Sequence, residues 1–250
     1  MRALDIEVRP ELVDRWLGWF VPVDQPFLVP NEIATRMRLT DDRDRLTMEH
    51  RDTFALYSVD EDESVVWLDE EQASTLPRSV RRAQPLPHRW PSEPLERQLD
   101  LLIEYVEDGR RPSRHTEVPG EVWEASARLL PCARLLAGCF PARSGPNCFG
   151  AVMAAAGVAG AAEVWMQREP FEAWLADNTR RGGDDADPGT VLVWRDPEGA
   201  VQHAAVTLGG GWALHKPSQG WMSPTKVLTV AETKASSRAK GRRLHRYTLG

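Results

Sequence analysis

Apolar positions recur at two different periods along this chain, and the periods divide it. Near the N-terminus Leu12, Val13, Trp16, Leu17 and Phe20 follow Pro10 at helical spacing. That spacing predicts a helix opening at a proline, whose fixed φ suits the first helical position. Pro22, Pro26 and Pro30 make the following stretch irregular. Short apolar runs then predict three strands, at about 44–49, 53–59 and 64–68. Phe54, Leu56, Val65 and Trp67 are the apolar content of the last two, which read as a hairpin around the acidic turn Asp60-Glu61-Asp62-Glu63. Five prolines between 77 and 94 mark a linker or an extended wrap. Leu95, Leu99, Leu102, Ile103 and Val106 then share one helical face, closed by Gly109 and Pro112.

The second half reads differently. Residues 120–138 are helical in pattern, interrupted at Pro131, whose ring disrupts a helix interior. A turn at Ser144-Gly145-Pro146-Asn147 precedes a helix of small residues from Cys148 to about Ala156, and a further helix near 170–180 carries Phe171, Trp174 and Leu175. Strands follow at 190–195, 200–208 and 211–215, with strand-like 226–230 and 243–249 completing the chain. Helices followed by antiparallel strands predict an α+β fold. The polar, proline-containing break at 108–120 predicts a boundary between an N-terminal α+β domain, 1–112, and a second domain, 113–250. No internal repeat interrupts either half.

Composition narrows the function classes. A net charge of −6 gives no support for a general nucleic-acid binder, which carries a basic domain. Three cysteines cannot all pair, and 250 residues bury a core without disulfides, so reduced thiols are expected. Asp5, Glu7, Glu11 and Asp14 occupy the place of a signal peptide's apolar segment. The uncharged stretch 144–162 is too rich in Gly and Ala for a membrane span. A soluble, cytoplasmic protein is the expectation.

Candidate chemistry centres on Cys148, where the turn gives way to a helix. A thiol at a helix N-terminus meets the positive end of the dipole, which favours thiolate. The backbone N–H groups there can hold an oxyanion. A buried structural cysteine is the plain alternative, and it is the reading kept for Cys132 and Cys139. His203 lies in the strand Val201-Gln202-His203-Ala204-Ala205-Val206, and His215 lies on the next strand, across Leu208-Gly209-Gly210-Gly211. An odd-numbered loop centred on Gly209 would set the two imidazoles directly opposite, on one face; a two-residue loop would separate them. One then acts as the base for the thiol and the other orients it. The asparagines are Asn31, Asn147 and Asn178, none after His203, so the third member is not an asparagine. His215 is the best-placed polar residue, and Gln219 is second.

This order resembles that of the NlpC-like family of papain-fold cysteine peptidases: Cys148 at a helix start, then Pro188-Gly189-Thr190-Val191-Leu192-Val193-Trp194, then His203-Ala204-Ala205-Val206-Thr207-Leu208-Gly209 and a strand ending in His215. The resemblance covers roughly 120–235. It implies a papain-like second domain with Cys148 as nucleophile, His203 as base and His215 as third member. The implied activity is cleavage of an amide bond, in a peptide or small amide, through a thioester. No cofactor, metal, nucleic acid or membrane partner is implied. Asn147 and Lys216, with Gln219, are weaker candidates for contacting substrate, Lys216 through a carboxylate. A surface lysine is the plain alternative there.

Three other readings stand beside this one. An acyltransferase would use the same residues with an amine acceptor, and a binding module could use the same scaffold without catalysis. Cys148, His203 and His215 could instead be three zinc ligands. The C-terminal run Lys234, Arg238, Lys240, Arg242, Arg243, Arg246 reads as a solvated face or as a site for an anionic ligand.

Overall fold

A computed structural model describes residues 1–250. The chain forms two compact units. One comprises Met1 and 8–108; the other comprises 109–250 together with 2–7. That N-terminal segment is a minimal ribbon, β1 (Arg2–Ala3) against β2 (Ile6–Glu7), turned through Leu4 and Asp5, both at positive φ. No helix is long and apolar enough to cross a membrane.

In the first unit, α1 (Pro10–Phe20) opens at its proline and buries Val13, Trp16 and Phe20. β3 (Gln25–Pro30) then runs through the stretch that the prolines suggested was irregular. α2 (Asn31–Met37) and α3 (Met48–Phe54) lead to β4 (Glu63–Leu68), which pairs antiparallel with β3, Leu28 opposite Val65. A two-stranded ribbon has only edges, and edges tolerate proline.

Two expectations therefore fail here. Residues 44–49 and 53–59 are not strands, and β4 is not in a hairpin with the segment before it. The reason is local. Thr47 accepts a hydrogen bond from the His50 N–H while His50 Nδ1 accepts from the Thr47 N–H, a reciprocal cap that starts a helix in place of a strand.

α4 (Glu70–Ser74), α5 (Arg78–Arg82) and α6 (Leu95–Glu107) complete this unit. The proline-rich stretch between α5 and α6 is an extended wrap that bonds to the ribbon. Gln84 both accepts from the Leu28 N–H and donates to the Leu28 carbonyl, each at 2.9 Å, as a neighbouring strand would. His88 stacks on Phe27 with ring centroids 3.7 Å apart.

The second unit adds α7 (Gly120–Ser126) and α8 (Ala133–Leu136), separated around Pro131, then α9 (Cys148–Ala155) and α10 (Arg168–Asn178). The strands are β5 (Thr179–Arg181), β6 (Pro188–Arg195), β7 (Val201–Gly209), β8 (Trp212–His215) and β9 (Lys226–Thr229). α11 (Val230–Ser236) and β10 (Arg243–Leu249) follow. The six strands form one antiparallel sheet in the order β5-β10-β6-β7-β8-β9. This is the helix-plus-antiparallel-sheet, α+β arrangement the sequence predicts.

α9 is buried along its whole length and packs on one face of the sheet, among Val191, Val193, Ala204, Val206 and Leu214. Its small residues let it lie close. A Cβ at Gly150 would fall 2.2 Å from the Ala161 carbonyl oxygen, so only glycine fits. Phe149 stacks on Phe171 of α10 at 4.6 Å. The other face carries Leu192, Trp194, Ala205 and Ala213, covered by Val230 at the start of α11. The sheet is therefore packed on both faces, and its strands read as near-continuous apolar runs for that reason.

Candidate active site

The β7–β8 hairpin turns through Gly210 and Gly211, both at positive φ, with Gly209 opposite Trp212. Two successive residues at positive φ give the turn whose twist matches that of the flanking strands, and glycine reaches it without strain. This is the short loop that would separate the two histidines. A register shift between Thr207 and Gly209 restores the phase, so that Ala205 lies opposite His215. His203 and His215 consequently share a face but are diagonal neighbours, not the directly opposed pair expected from the sequence.

Across that diagonal, His203 Nε2 and His215 Nε2 are 2.9 Å apart, and the rings meet edge to face at 5.0 Å. Both are buried. His203 also lies opposite Trp194 of β6, ring centroids 5.4 Å apart. Burial pushes His203 down to about 4, helped by the charge of Arg242. It pushes His215 well below the usual imidazole range, helped by His203, Lys226 and Lys216. Both rings are neutral at pH 7, so one donates and the other accepts. The Nδ1 of His215 is buried without a hydrogen-bond partner.

Cys148 begins α9. Asn147 caps the helix: its Oδ1 accepts from the Gly150 N–H and its Nδ2 donates to the Met166 carbonyl at 2.8 Å. Both ends of that amide take part in shaping the turn. Burial pushes the Cys148 thiol up to about 11. The N–H groups of Ala204, Phe149 and Cys148 itself, and the charge of Lys216, pull the other way without prevailing. The helix start does favour thiolate, but desolvation of a nearly enclosed sulfur is the larger effect. The acidic thiol expected from the sequence is therefore corrected.

The thiol accepts from the N–H of Ala204 on the side of the sheet that α9 covers, whereas His203 and His215 project from the other face with Trp194 and Ala205; the thiol makes no hydrogen bond to either imidazole, and the structure does not bring the three residues together. Cys148, His203 and His215 do not form a group that could hold a metal ion, and no other three His, Cys, Asp or Glu residues do so.

Lys216 is a correction of another kind. The plain expectation was a surface lysine, yet it is buried, and its Nζ donates to the Ser223 carbonyl. Gln219 contributes a backbone carbonyl that accepts from the Gly145 N–H at 2.8 Å, and its side chain makes no bond to His203. It is His215 that holds the His203 ring. Trp194 was missed as a neighbour of the site, because nothing in the sequence sets the β6–β7 register before the strands are paired.

Compared with family models, with curated proteins and with solved structures, the chain has no match.

Proposed function

We propose that the second unit is a cysteine amidase or peptidase, similar to the NlpC-like family, with Cys148 as nucleophile, His203 as general base and acid, and His215 as the residue that orients His203. The observation that carries this reading is the buried 2.9 Å imidazole pair, with the Cys148 helix start meeting its strand at Ala204. Buried polar pairs of this kind are costly in a core, and they recur where a proton has to be moved.

Two tautomeric arrangements satisfy the pair. In one, His215 donates and His203 carries its own proton on Nδ1. In the other, His203 donates through Nε2, which leaves the Nδ1 lone pair of His203 free to accept the thiol proton. Only the second is a base. Removal of that proton lets sulfur attack an amide carbonyl. The new alkoxide has the N–H groups at the start of α9 as donors. His203, now protonated, delivers the proton to the leaving amine, and water releases the acid from the thioester. An amine in place of water gives acyl transfer with the same residues.

In the resting site the thiol and the imidazole are both neutral. Each shift is the cost of one isolated charge in a dry site. Transfer from Cys148 to His203 has to pass from one face of β7 to the other, through a water or a shift of the chain, and creates both charges together.

A second reading, a binding module without catalysis, is favoured by the absence of a hydrogen bond between thiol and imidazole. An acyl-type electrophile separates the two. Covalent labelling at Cys148 that is lost in Cys148→Ala and strongly slowed in His203→Ala supports the enzyme, with a screen of peptides and small amides to follow. Labelling confined to Cys132 or the exposed Cys139 supports the binding module.

A further inference from the structure

The outer face of the sheet, the one that α9 does not cover, carries buried polar groups that the fold leaves unused. Leu244 of β10 lies opposite Trp194 of β6, and Trp194 lies opposite His203 of β7, so the three side chains form one row on this face, each about 4.8 Å from the next. α11 packs here through Val230, among Leu192, Trp194, Ala205 and Ala213. Thr233 and the C-cap residue Ser237 stand at i+3 and i+7 from Val230, on the face of α11 that is turned to the sheet. Both are buried, and neither Thr233 Oγ1 nor Ser237 Oγ has a hydrogen-bond partner. Nor has the Nδ1 of His215, which projects from the same face of the sheet. A buried hydroxyl without a partner costs free energy that an apolar residue in its place would not.

A cavity of about 290 Å³ adjoins these hydroxyls. Trp194 and Leu244 form its apolar floor, and Lys234, Arg238, Arg242 and Arg246 its walls. Lys234 and Arg238 directly follow Thr233 and Ser237, so one stretch of chain presents both the cations and the hydroxyls. Asp185 is shared by two of the cations: it pairs with Lys234 and accepts from Arg246 Nε at 2.9 Å. Arg238 and Arg242 are exposed and make no ion pair. Four cations against one carboxylate leave a surplus of three positive charges, in a protein whose net charge is −6.

We infer that this cavity binds a small phosphate ester with an apolar stem, at a site separate from Cys148. Three surplus charges exceed what one carboxylate offsets and suit a phosphate dianion. Guanidinium groups meet phosphate oxygens with paired hydrogen bonds, and Lys234 adds a point charge that Asp185 holds in place. Thr233 and Ser237 supply hydroxyl donors that have nothing else to bond. The Trp194 and Leu244 floor takes the stem. The cavity is the size of one small group, and the negative charge of the chain as a whole opposes nucleic acid and anionic membranes. Cys148 lies with α9 on the other side of the packed sheet and contributes nothing here, so this site stands or falls apart from the amidase reading.

Titration calorimetry on the full chain with phenyl phosphate, benzoate and inorganic phosphate tests this without any turnover. The expected result is saturable binding of phenyl phosphate. Benzoate, which lacks the second charge, and inorganic phosphate, which lacks the stem, are each expected to bind roughly tenfold more weakly. The Arg238→Gln, Arg242→Gln double variant is expected to lose roughly tenfold in affinity for phenyl phosphate. Both side chains are exposed, and a thermal melt checks that the variant is folded. Thr233→Val removes one hydroxyl and keeps its shape. It is expected to weaken phenyl phosphate several-fold while Tm holds or rises, because it also deletes a buried polar group without a partner. A threonine that serves only the fold would leave the affinity where it was, and that result overturns the part given to the hydroxyls. No binding of phenyl phosphate, equal affinity for benzoate, or an affinity that survives in the double variant overturns the site. Binding of a short DNA duplex while phenyl phosphate stays inert also overturns it and assigns the cations to nucleic acid.

Discussion

Burial decides the chemistry of each residue in the candidate site more than local dipoles do. Cys148 has a helix start, three N–H groups and a lysine charge in its favour, and still its thiol is held at about 11. Alkylation by iodoacetamide is therefore expected to rise with pH through about 11, later than for N-acetylcysteine, and to return to the ordinary profile in denaturant. A plateau below pH 8 would show an ion pair that the resting site lacks. The sequence signals the helix start through Gly145-Pro146-Asn147, but not how deeply it is covered, because depth depends on packing partners far away in the chain. Substitutions separate the roles. If the second unit is the amidase proposed, Cys148→Ala is expected to abolish turnover, since the thioester would form on that sulfur. On the same reading His203→Ala is expected to cost roughly 10²–10⁴-fold in kcat, the usual contribution of a positioned acid–base group. His215→Ala costs less. His215→Gln retains more than His215→Ala, because an amide oxygen accepts from His203 Nε2 and holds the tautomer that acts as a base. Equal loss in the two His215 variants would reject an orienting role.

Elements in the second unit are the ones whose period the sequence shows clearly. α9, α10 and β6–β8 fall within a few residues of where the hydrophobic pattern puts them. The first unit is harder to read because its ribbon pairs β3 with β4 across 32 intervening residues of helices and loops, and because Pro26 and Pro30 hide a strand. The site depends on one detail that no pattern reveals. The register shift at the end of β7 cancels the phase change of the two-glycine turn, and only their combination brings His203 and His215 onto one face. α9 depends on Gly150 in a similarly local way. A Cβ there meets a backbone carbonyl, which cannot rotate aside as a side chain tip would. Gly150→Ala is expected to destabilise the second unit by about 3 kcal/mol, the upper end for overpacking. That corresponds to a fall of about 10 °C in Tm. A melt within about 2 °C of the parent would mean that the Ala161 segment yields freely, and that the seat of α9 is less rigid than its packing implies.

At the scale of the whole molecule, all six histidines are depressed below the ordinary imidazole range, and burial is the first cause for each. Their effects do not cancel. A group whose folded pKa is lowered binds its proton more readily when unfolded. Its contribution to stability is full above the unfolded value of 6.5 and is lost as pH falls towards the folded value. His88 in the first unit and His203 in the second are each held near 4. Each then costs roughly 2 kcal/mol by pH 5, and His215 adds to the loss in the second unit. The carboxylates that the fold holds low, Asp185, Asp196, Glu117 and Glu232, have ordinary values of 3.8 to 4.5 and lose their contribution only below that range. The window from pH 6.5 to 5 therefore belongs to the imidazoles. Urea unfolding followed between pH 7.5 and 5 is expected to show stability falling in both units, well before carboxylate titration begins. His88→Gln should flatten the decline in the first unit and His203→Gln in the second, each leaving the other unit's slope intact. Stability that is level down to pH 5 would show that these rings take up protons in the folded protein, and the neutral imidazole pair on which the base role of His203 depends would have to be abandoned with it.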